Sequence, residues 1–549
     1  VNDSTGAVDV QYDPLNARIL YAGTYSARRA PHEMSGGGEG SGLWKSVDGG
    51  ETWKNLSTNP GLPRGIRGKV CVAPSRAQSG LVWAMVESEF GGLFRSEDGG
   101  ATWSRLSQDK NIRQRPWYFS RVYADPSDRD VVYVLNVNWW KSIDGGRNFT
   151  RMSSKHGDHH ALWIDPTDHQ RMILGDDGGA CVTYNGGSTW SELDLPTAQF
   201  YHVAVDQQFP YRIYGAQQDN SSVCIRSRSA GWSISERDWF PAAGGESGYV
   251  VSHPKKPWVI FGGNYGGFLE RFDTRTEQHL DVSVYPENSI GDAAKNLRER
   301  FQWTFPIVFS PHDSTTLYVT SQHVWKSTDE GMSWVRISDD LTRNDTTRLQ
   351  ASGGPITKDN TGVEVYCTIF TFAESPVRSG VLWAGSDDGR VHVSSDGGVH
   401  WKDVTPAALP EWSLVSIIEP SHFDAGTAYM AATRYKSGDE RPYLFRTTDF
   451  GTTWSAMTNG IPASAFTRVV REDPHRKGLL YCGTETGMYC SMDNGQSWQG
   501  LQFNLPVTPI HDIAVHAREK DLVVATHGRS FWILDDLTPL HQLADSIRR

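Results

Sequence analysis

One eight-residue phrase recurs along the chain, and that recurrence limits it to folds assembled from copies of a single unit. SVDGGETW begins at Ser46, SEDGGATW at Ser96, STDEGMSW at Ser327, SSDGGVHW at Ser394, TTDFGTTW at Thr447 and SMDNGQSW at Ser491. SIDGGRNF at Ser142 and TYNGGSTW at Thr183 are looser copies. In the shared pattern the Asp carboxylate accepts bonds from nearby backbone N–H groups and holds a tight turn, while Gly takes a backbone angle that other residues resist. The closing Trp is expected to begin the next strand and pack inward. Asp48, Asp98, Asp144, Asp329, Asp396, Asp449 and Asp493 are therefore read as shaping hairpins and doing no chemistry.

A second repeat counts the units. Short β-rich stretches recur as ILYAGTY, LVWAMVE, VVYVLNV, RMILGDD, RIYGAQQ, WVIFGGN, TLYVTSQ, VLWAGSD, TAYMAAT, LLYCGTE and LVVATHG, eleven in all. Ahead of most lies another strand ending in a turn such as YDPL at Tyr12, ADPS at Ala124, IDPT at Ile164 or EDPH at Glu472, where the missing N–H of Pro costs nothing. Each unit reads strand, Pro turn, strand, loop, strand, octet turn, strand. Four antiparallel strands per repeat make a propeller blade, so the fold class is all-β, a β-propeller. The 54 Gly and 21 Trp suit many tight turns with large aromatics between sheets. Two units have lost the octet: RSRSAGWSI around Ser229 and ERFDTRTEQ around Asp273 keep only its spacing.

Through these octets, and through GDHHALWIDP, GAQQDN, GGPITKDNTGVE and ATHGRSFWILDD, the chain resembles the bacterial BNR or Asp-box repeat β-propeller proteins of glycosyl hydrolase-like and sortilin-like type. That group is related in architecture to the tandem-propeller xyloglucan hydrolases. The resemblance implies two consecutive seven-bladed propellers, with NDSTGAVDVQYDP matching the interior of the first ring. Residues 1–194 would then be four blades of an incomplete first propeller, 195–537 a second, seven-bladed one, and 538–549 a C-terminal tail. The alternative is a single ring of about ten blades, as in sortilin, although no cysteine-rich module follows here.

Composition removes some functions. A formal net charge of -11 leaves no broad basic surface to displace counterions from phosphate, so no nucleic-acid partner is expected. No apolar stretch reaches the length of a membrane span. The six cysteines have no CxxC spacing, which argues against zinc ribbons and for buried free thiols, although Cys482 and Cys490 flank one hairpin. No cofactor is expected. The resemblance implies an extracellular or periplasmic protein.

On a propeller, the loops between second and third strands share a face with those joining blades, while Pro turns and octets occupy the other. The loop-rich face is polar over three successive blades. Blade four brings His156, Asp158, His159 and His160 of KHGDHH, with Asp176 and Asp177 of GDDGG. Blade five brings Gln199, Tyr201 and His202, then Gln217, Gln218, Asp219 and Asn220. Blade six brings Glu246 and Tyr249, then Asn264 and Tyr265. Glycoside hydrolysis needs two carboxyl groups, one acid and one base or nucleophile, and Asp177 with Glu246 is the chosen pair; Asp219, Asp387 and Asp388 stand in reserve. The competing reading is that these carboxylates order Gly-rich loops. The upstream motif that carries one catalytic Asp in the xyloglucan hydrolases is not visible. A metal reading stays open for His156, Asp158 and His160, which would share one side of an extended strand. His527 and Arg529 on the last inner loop suit either an anionic group or ring closure.

Two long connections, 281–300 with a short helical pattern capped by Asp292 and 338–364, supply walls for a cleft or an interface. Asp177, Gln218, Asp219 and Glu246 are expected around one concave pocket with His159 or His160 at its rim. Two functions are carried forward. One is a secreted, glycoside hydrolase-like protein acting on or binding a polysaccharide. The other is a noncatalytic sortilin-like scaffold for a protein, peptide or glycan, with a protein partner or second chain completing the first propeller. A sialidase is a weaker third, lacking the Arg-rich signature.

Overall fold

The computed structural model describes residues 2–192, 195–359 and 361–543. Among them, strands are joined in chain order into eleven antiparallel sheets, nine of four strands, one of five and one of three. The chain is an all-β propeller protein. Second strands such as Val82–Ser88 and Leu382–Ser386 are buried at every residue, because a neighbouring sheet covers each face. They therefore read as continuous apolar runs instead of alternating ones. Fourth strands such as Lys402–Asp403 and Gln499–Gly500 are two residues long and exposed.

The octets bond alike in every copy. At the first, Ser46 Oγ donates to Asp48 Oδ1 (2.7 Å), Thr52 N donates to the same oxygen (3.0 Å), and Gly50 N returns to Ser46 Oγ (2.9 Å). Gly50 sits at φ +99°, which a side chain would make costly. The same bonds recur around Asp98, Asp144, Asp329, Asp396, Asp449 and Asp493, and around Asn185 in the looser copy. The Trp side chains differ between copies: Trp103 and Trp498 pack inward and are buried in the core, while Trp53 is exposed. Trp190, Trp334, Trp401, Trp454 and Trp498 each donate an indole N–H to a carbonyl at the outer edge of the preceding blade, as Trp401 does to Ile337 O (2.9 Å). In these five copies the octet closes its own hairpin and fastens one blade to the next, whereas Trp53 and Trp103 donate within their own turns, to Gly50 O (3.0 Å) and Gly100 O (3.1 Å). At the Pro turns an Asp does similar work: Asp125 Oδ1 accepts from Ser127 N (2.9 Å), and Asp473 Oδ1 from His475 N (2.8 Å).

The chain forms two compact units, Val1–Leu195 with Ala351–Asn360, and Pro196–Gln350 with Thr361–Arg549. Unit 1 holds four sheets, each bonded to the next by an apolar seam: Tyr21 and Leu43 on Val70 and Val82, Trp83 on Val122 and Val132, Tyr133 and Trp139 on Leu162 and Leu174. Its first sheet carries an extra strand, Glu33–Gly36, whose Gly36 N donates to Gly354 O (2.8 Å), so residues 351–359 are held as part of this unit. Unit 2 holds seven sheets, and the last packs against the first. Val523 and Ala525 share a core with Phe200, Val203, Tyr211 and Ile213, while Tyr211 Oη donates to Asp521 Oδ2 (3.0 Å) and His516 Nε2 lies 3.0 Å from Asp206 O.

The short helical pattern of the 281–300 connection forms one 3-10 turn, Ala294–Asn296. Asp292 closes it, accepting from Ala293 N and Asn296 Nδ2 (both 2.8 Å). In the tail, Thr538–Gln542 is a helix held to blade ten by His541 on Asp473 (2.9 Å); residues 544–549 lie outside the described ones. All six cysteines are free and buried. Cys482 lies opposite Tyr489 and Cys490 opposite Tyr481, so the two thiols point to opposite faces of their hairpin.

Candidate functional site

In unit 1 the loop before blade three and the two loops of blade four converge. Asp177, on the turn after Met172–Asp176, receives Tyr118 Oη (3.1 Å to Oδ2) and lies 2.7 Å from His160 Nε2. The His160 ring meets Tyr118 edge-on (4.6 Å between centroids) and leans on Phe119 (5.1 Å). Arg115 covers Trp117 at 5.2 Å and reaches Asp158 Oδ2 at 3.6 Å. Carboxylate oxygens of Asp158 and Asp177 approach within 4.8 Å, and Asp177 N donates to Asp158 O (3.1 Å), which locks the two loops together. Burial pushes the Asp158 carboxyl up, opposed by Arg115 and reinforced by Asp177.

The KHGDHH segment is not extended throughout. Asp158 sits at φ +57° and the strand starts only at His159, so His156, Asp158 and His160 do not line one side of a strand. His159 turns inward, 2.7 Å from Ser154 Oγ and 3.3 Å from Asn136 O, and burial pushes its imidazole down to about 4. His156 Nδ1 lies 3.0 Å from Gly157 O. Asp176 Oδ1 accepts from Gly178 N (3.1 Å), and burial raises its carboxyl against the pull of His156. Asp158, Asp177 and His160 offer oxygen and nitrogen donors that suit a divalent cation. His160 is already turned onto Asp177, however, as a carboxylate partner. Arg115, Trp117 and Tyr118 were not singled out in the sequence. Their one signal is the aromatic run RQRPWYF, which lies in a loop with no repeat to frame it.

In unit 2, Gln218, Asp219 and Glu246 do meet. Glu246 Oε2 accepts from Asp219 N (2.6 Å), stabilising a residue at φ +62°, and Tyr201 donates its hydroxyl to Gln218 Oε1. Tyr201 stands beside His527 (5.2 Å) and His511 (5.8 Å), whose rings stack 4.3 Å apart. Burial, then Arg468, pushes the His527 imidazole down to about 4. His202 stacks on Tyr249 (3.7 Å) and contacts Asp512 (3.2 Å); Asp512 binds Arg471 (2.7 Å) and Arg471 binds Glu419 (2.8 Å). Burial alone would raise Asp512, but Arg471 and His202 hold it at about 2. Tyr265 stacks on Trp303 (5.2 Å), and its N–H is held by Asn264 Oδ1 (2.9 Å).

No family model matches the sequence. A xyloglucanase of Hypocrea jecorina (strain QM6a) is similar, 23% identical over an alignment covering 97% of this chain and 62% of that protein. The chain therefore spans less than two thirds of that relative. Solved structures similar to it include a GH74 enzyme of Niastella koreensis (13% identity, 96% of this chain, 84% of that one, TM-score 0.25) and a GH74 xyloglucanase of Xanthomonas campestris (15%, 96%, 85%, 0.25). The extracellular domain of a hybrid two-component system from B. thetaiotaomicron matches at 10% identity, 96% of this chain, 70% of that one and TM-score 0.39.

The remaining sequence candidates are engaged locally. Asp387 is buried and accepts from Thr368 N (2.9 Å) and Thr368 Oγ1 (2.8 Å); burial and then Asp388 push its carboxyl up. Asp388 accepts from Ser386 Oγ (2.5 Å) and Arg343 N (2.8 Å). Gln217 pairs with Phe200 across a β-bridge, Gln199 with His527, and Asn220 N turns back to Gln217 O (3.1 Å). Arg529 is exposed, on the carbonyl of Gly528 (3.0 Å). Of the chosen carboxylate pair, Asp177 belongs to unit 1 and Glu246 to unit 2.

Proposed function

We propose that this protein is a glycoside hydrolase-like, carbohydrate-active protein of the extracellular or periplasmic space, acting on a polysaccharide of the β-glucan type. Unit 1 is read as four blades of a first propeller and unit 2 as a second, seven-bladed one. The observation that carries the reading is the Asp158–Asp177 pair: two carboxylates within 4.8 Å, in a loop cluster floored by Trp117, Tyr118 and Phe119. Oxygens no more than 4.8 Å apart put the two carboxyl groups on the short side of the separations that glycosidases use, the side of the retaining enzymes. Asp158, pushed up by burial, is the acid that protonates the leaving oxygen. Asp177, aimed by Tyr118 and His160, is the nucleophile. Asp177 stays one of the two carboxylates, as in the sequence reading, and Asp158 takes the place that reading gave to Glu246, whose Oε2 is engaged by Asp219 N. The alignment with a xyloglucanase supports xyloglucan as the first substrate to try.

The test is reducing-sugar release from xyloglucan and mixed-linkage β-glucan. Asp177→Asn is expected to lose at least a hundredfold in kcat. Asp158→Asn should lose a comparable amount and abolish the alkaline limb of the pH profile, which the wild type places above the ordinary carboxyl range. Activity unchanged in both variants overturns the assignment. The noncatalytic scaffold is the second reading, favoured by the backbone bonds that tie down Glu246, Asp387 and Asp388. Polymer binding without turnover in the wild type would select it.

A further inference from the structure

A cavity of about 360 Å³ opens between the outer edge of blade six and blade seven, wholly within unit 2. Both necks of the 281–300 connection build it. Residues 281–285 form one wall, Arg298 and Glu299 another, and Trp325, Met332 and Trp334 of blade seven the third. The aromatic walls are fixed by their polar ends: Trp334 Nε1 donates to Val282 O (2.9 Å) and Trp325 Nε1 to Ser321 Oγ (3.2 Å). The neck is drawn shut where Arg298 N donates to Glu287 Oε2 (3.0 Å) and the Arg298 guanidinium lies 4.3 Å from the Tyr285 ring centre. Glu299 lies at the base, its side chain only 5% exposed, with Oε2 accepting from Ser321 Oγ (2.7 Å) and 3.0 Å from His323 Nδ1. Burial would raise this carboxyl, but His323 and Ser321 more than offset that and hold it low, so it stands ionised as an acceptor.

Charge narrows the occupant. A cationic ligand would meet the Arg298 guanidinium, which lines the cavity and already covers the Tyr285 face. An anion would meet Glu299 and Asp281. A neutral ligand fits if it gives hydroxyls to a carboxylate and lays a flat C–H face on an indole, and that is a pyranose. We propose that this cavity binds a pyranose segment of a polysaccharide, as a second carbohydrate site built from the 281–300 connection and blade seven. The choice of polymer rests on the carbohydrate reading above; the site itself uses none of the residues assigned to hydrolysis.

The experiment is affinity electrophoresis of the full chain in gels containing xyloglucan, with tryptophan fluorescence titrated by xyloglucan oligosaccharides. Tyr285→Ala, at a position 39% exposed in the wild type, and the near-isosteric Glu299→Gln are each expected to weaken retention tenfold or more and to abolish the fluorescence change. Hydrolysis of short soluble substrates should stay at the wild-type rate. Wild-type retention in both variants overturns the site. A wild type that hydrolyses xyloglucan but is not retained overturns it as well and leaves the catalytic reading standing. If the Asp158→Asn and Asp177→Asn chains hydrolyse normally while Tyr285→Ala loses retention, the catalytic reading falls and this site stands. A wild type that neither binds nor hydrolyses overturns both.

Discussion

Single carboxylates in this chain take their character from their partners. Asp98, Asp512 and Asp387 share one side-chain chemistry and meet three fates. Asp98 is held down to about 2 by bonds from Thr102 in an exposed turn. Asp512 is held at about 2 by Arg471 and His202 despite burial, and Asp387 is pushed up where burial and Asp388 outweigh its bonds to Thr368. For Asp512 the sign is clear: its folded value lies below the ordinary carboxyl of about 3.9, so its contribution is complete at neutral pH and lost as pH falls from roughly 4 towards 2. Asp512→Asn leaves the Arg471 charge with one fewer partner, and such a loss typically costs about 3 kcal/mol. Urea midpoints should therefore separate wild type and variant most at pH 7, with the gap closing below about pH 4. A gap that widens on acidification would contradict the assignment. Within the candidate site, the residues legible in the sequence were Asp177 and the KHGDHH group. Arg115 and Tyr118 were not, because their loop gains meaning only when folding sets it against Asp158 and Asp177.

At the scale of the element, the octet is a self-contained turn and predictions about it are local. Asp493 holds Ser497 N (2.9 Å), Ser497 Oγ (2.6 Å) and Ser491 Oγ (2.8 Å). Replacing Asp493 by Ala should remove about 1–2 kcal/mol of local stability, which appears as a roughly five- to thirtyfold faster amide exchange across residues 491–498. Exchange in blades four and five should not move. Uniform acceleration would mean that the turn is coupled to the whole unit. The lateral Trp bonds give the element a second task. Trp498 Nε1 reaches Met457 O (2.6 Å) in the preceding blade, so the turn motif also sets the spacing between sheets. The inward packing expected of this residue holds, since Trp498 is buried beside Met457 and Leu444, but a pattern of eight letters records the hairpin that contains it and not the neighbour that it faces.

At the scale of the whole molecule, unit 2 depends on a seam joined by residues about 310 positions apart. Val523 and Ala525 of the last sheet share a core with Phe200, Val203 and Ile213 of the first, and Phe531 stacks on Phe200 at 3.7 Å. Val523 is fully buried, so Val523→Asp places an unpaired charge in the seam, at a cost of about 3–5 kcal/mol. The expected result is rapid proteolysis within residues 196–543 at temperatures the wild type withstands, with Val523→Ala falling between the two. Wild-type resistance in the Asp variant would show that the seam contributes little to the stability of unit 2.

What the sequence determined by itself was the repeat. Octets, Pro turns and apolar second strands each rest on contacts within some 40 residues, so spacing and residue type were enough to read eleven sheets and their strand order. The free thiols and the structural role of the octet carboxylates followed from the same local chemistry. What only the tertiary structure decided were the meetings between distant residues: Asp158 with Arg115, Glu246 with Asp219 N, Asp512 with His202, and Glu299 with His323. A carboxylate in a Gly-rich loop has the same letters whether it ties down a backbone N–H or faces a ligand. The difference lies in burial and in the charge beside it, and both are set by which blade the closed chain brings next to it.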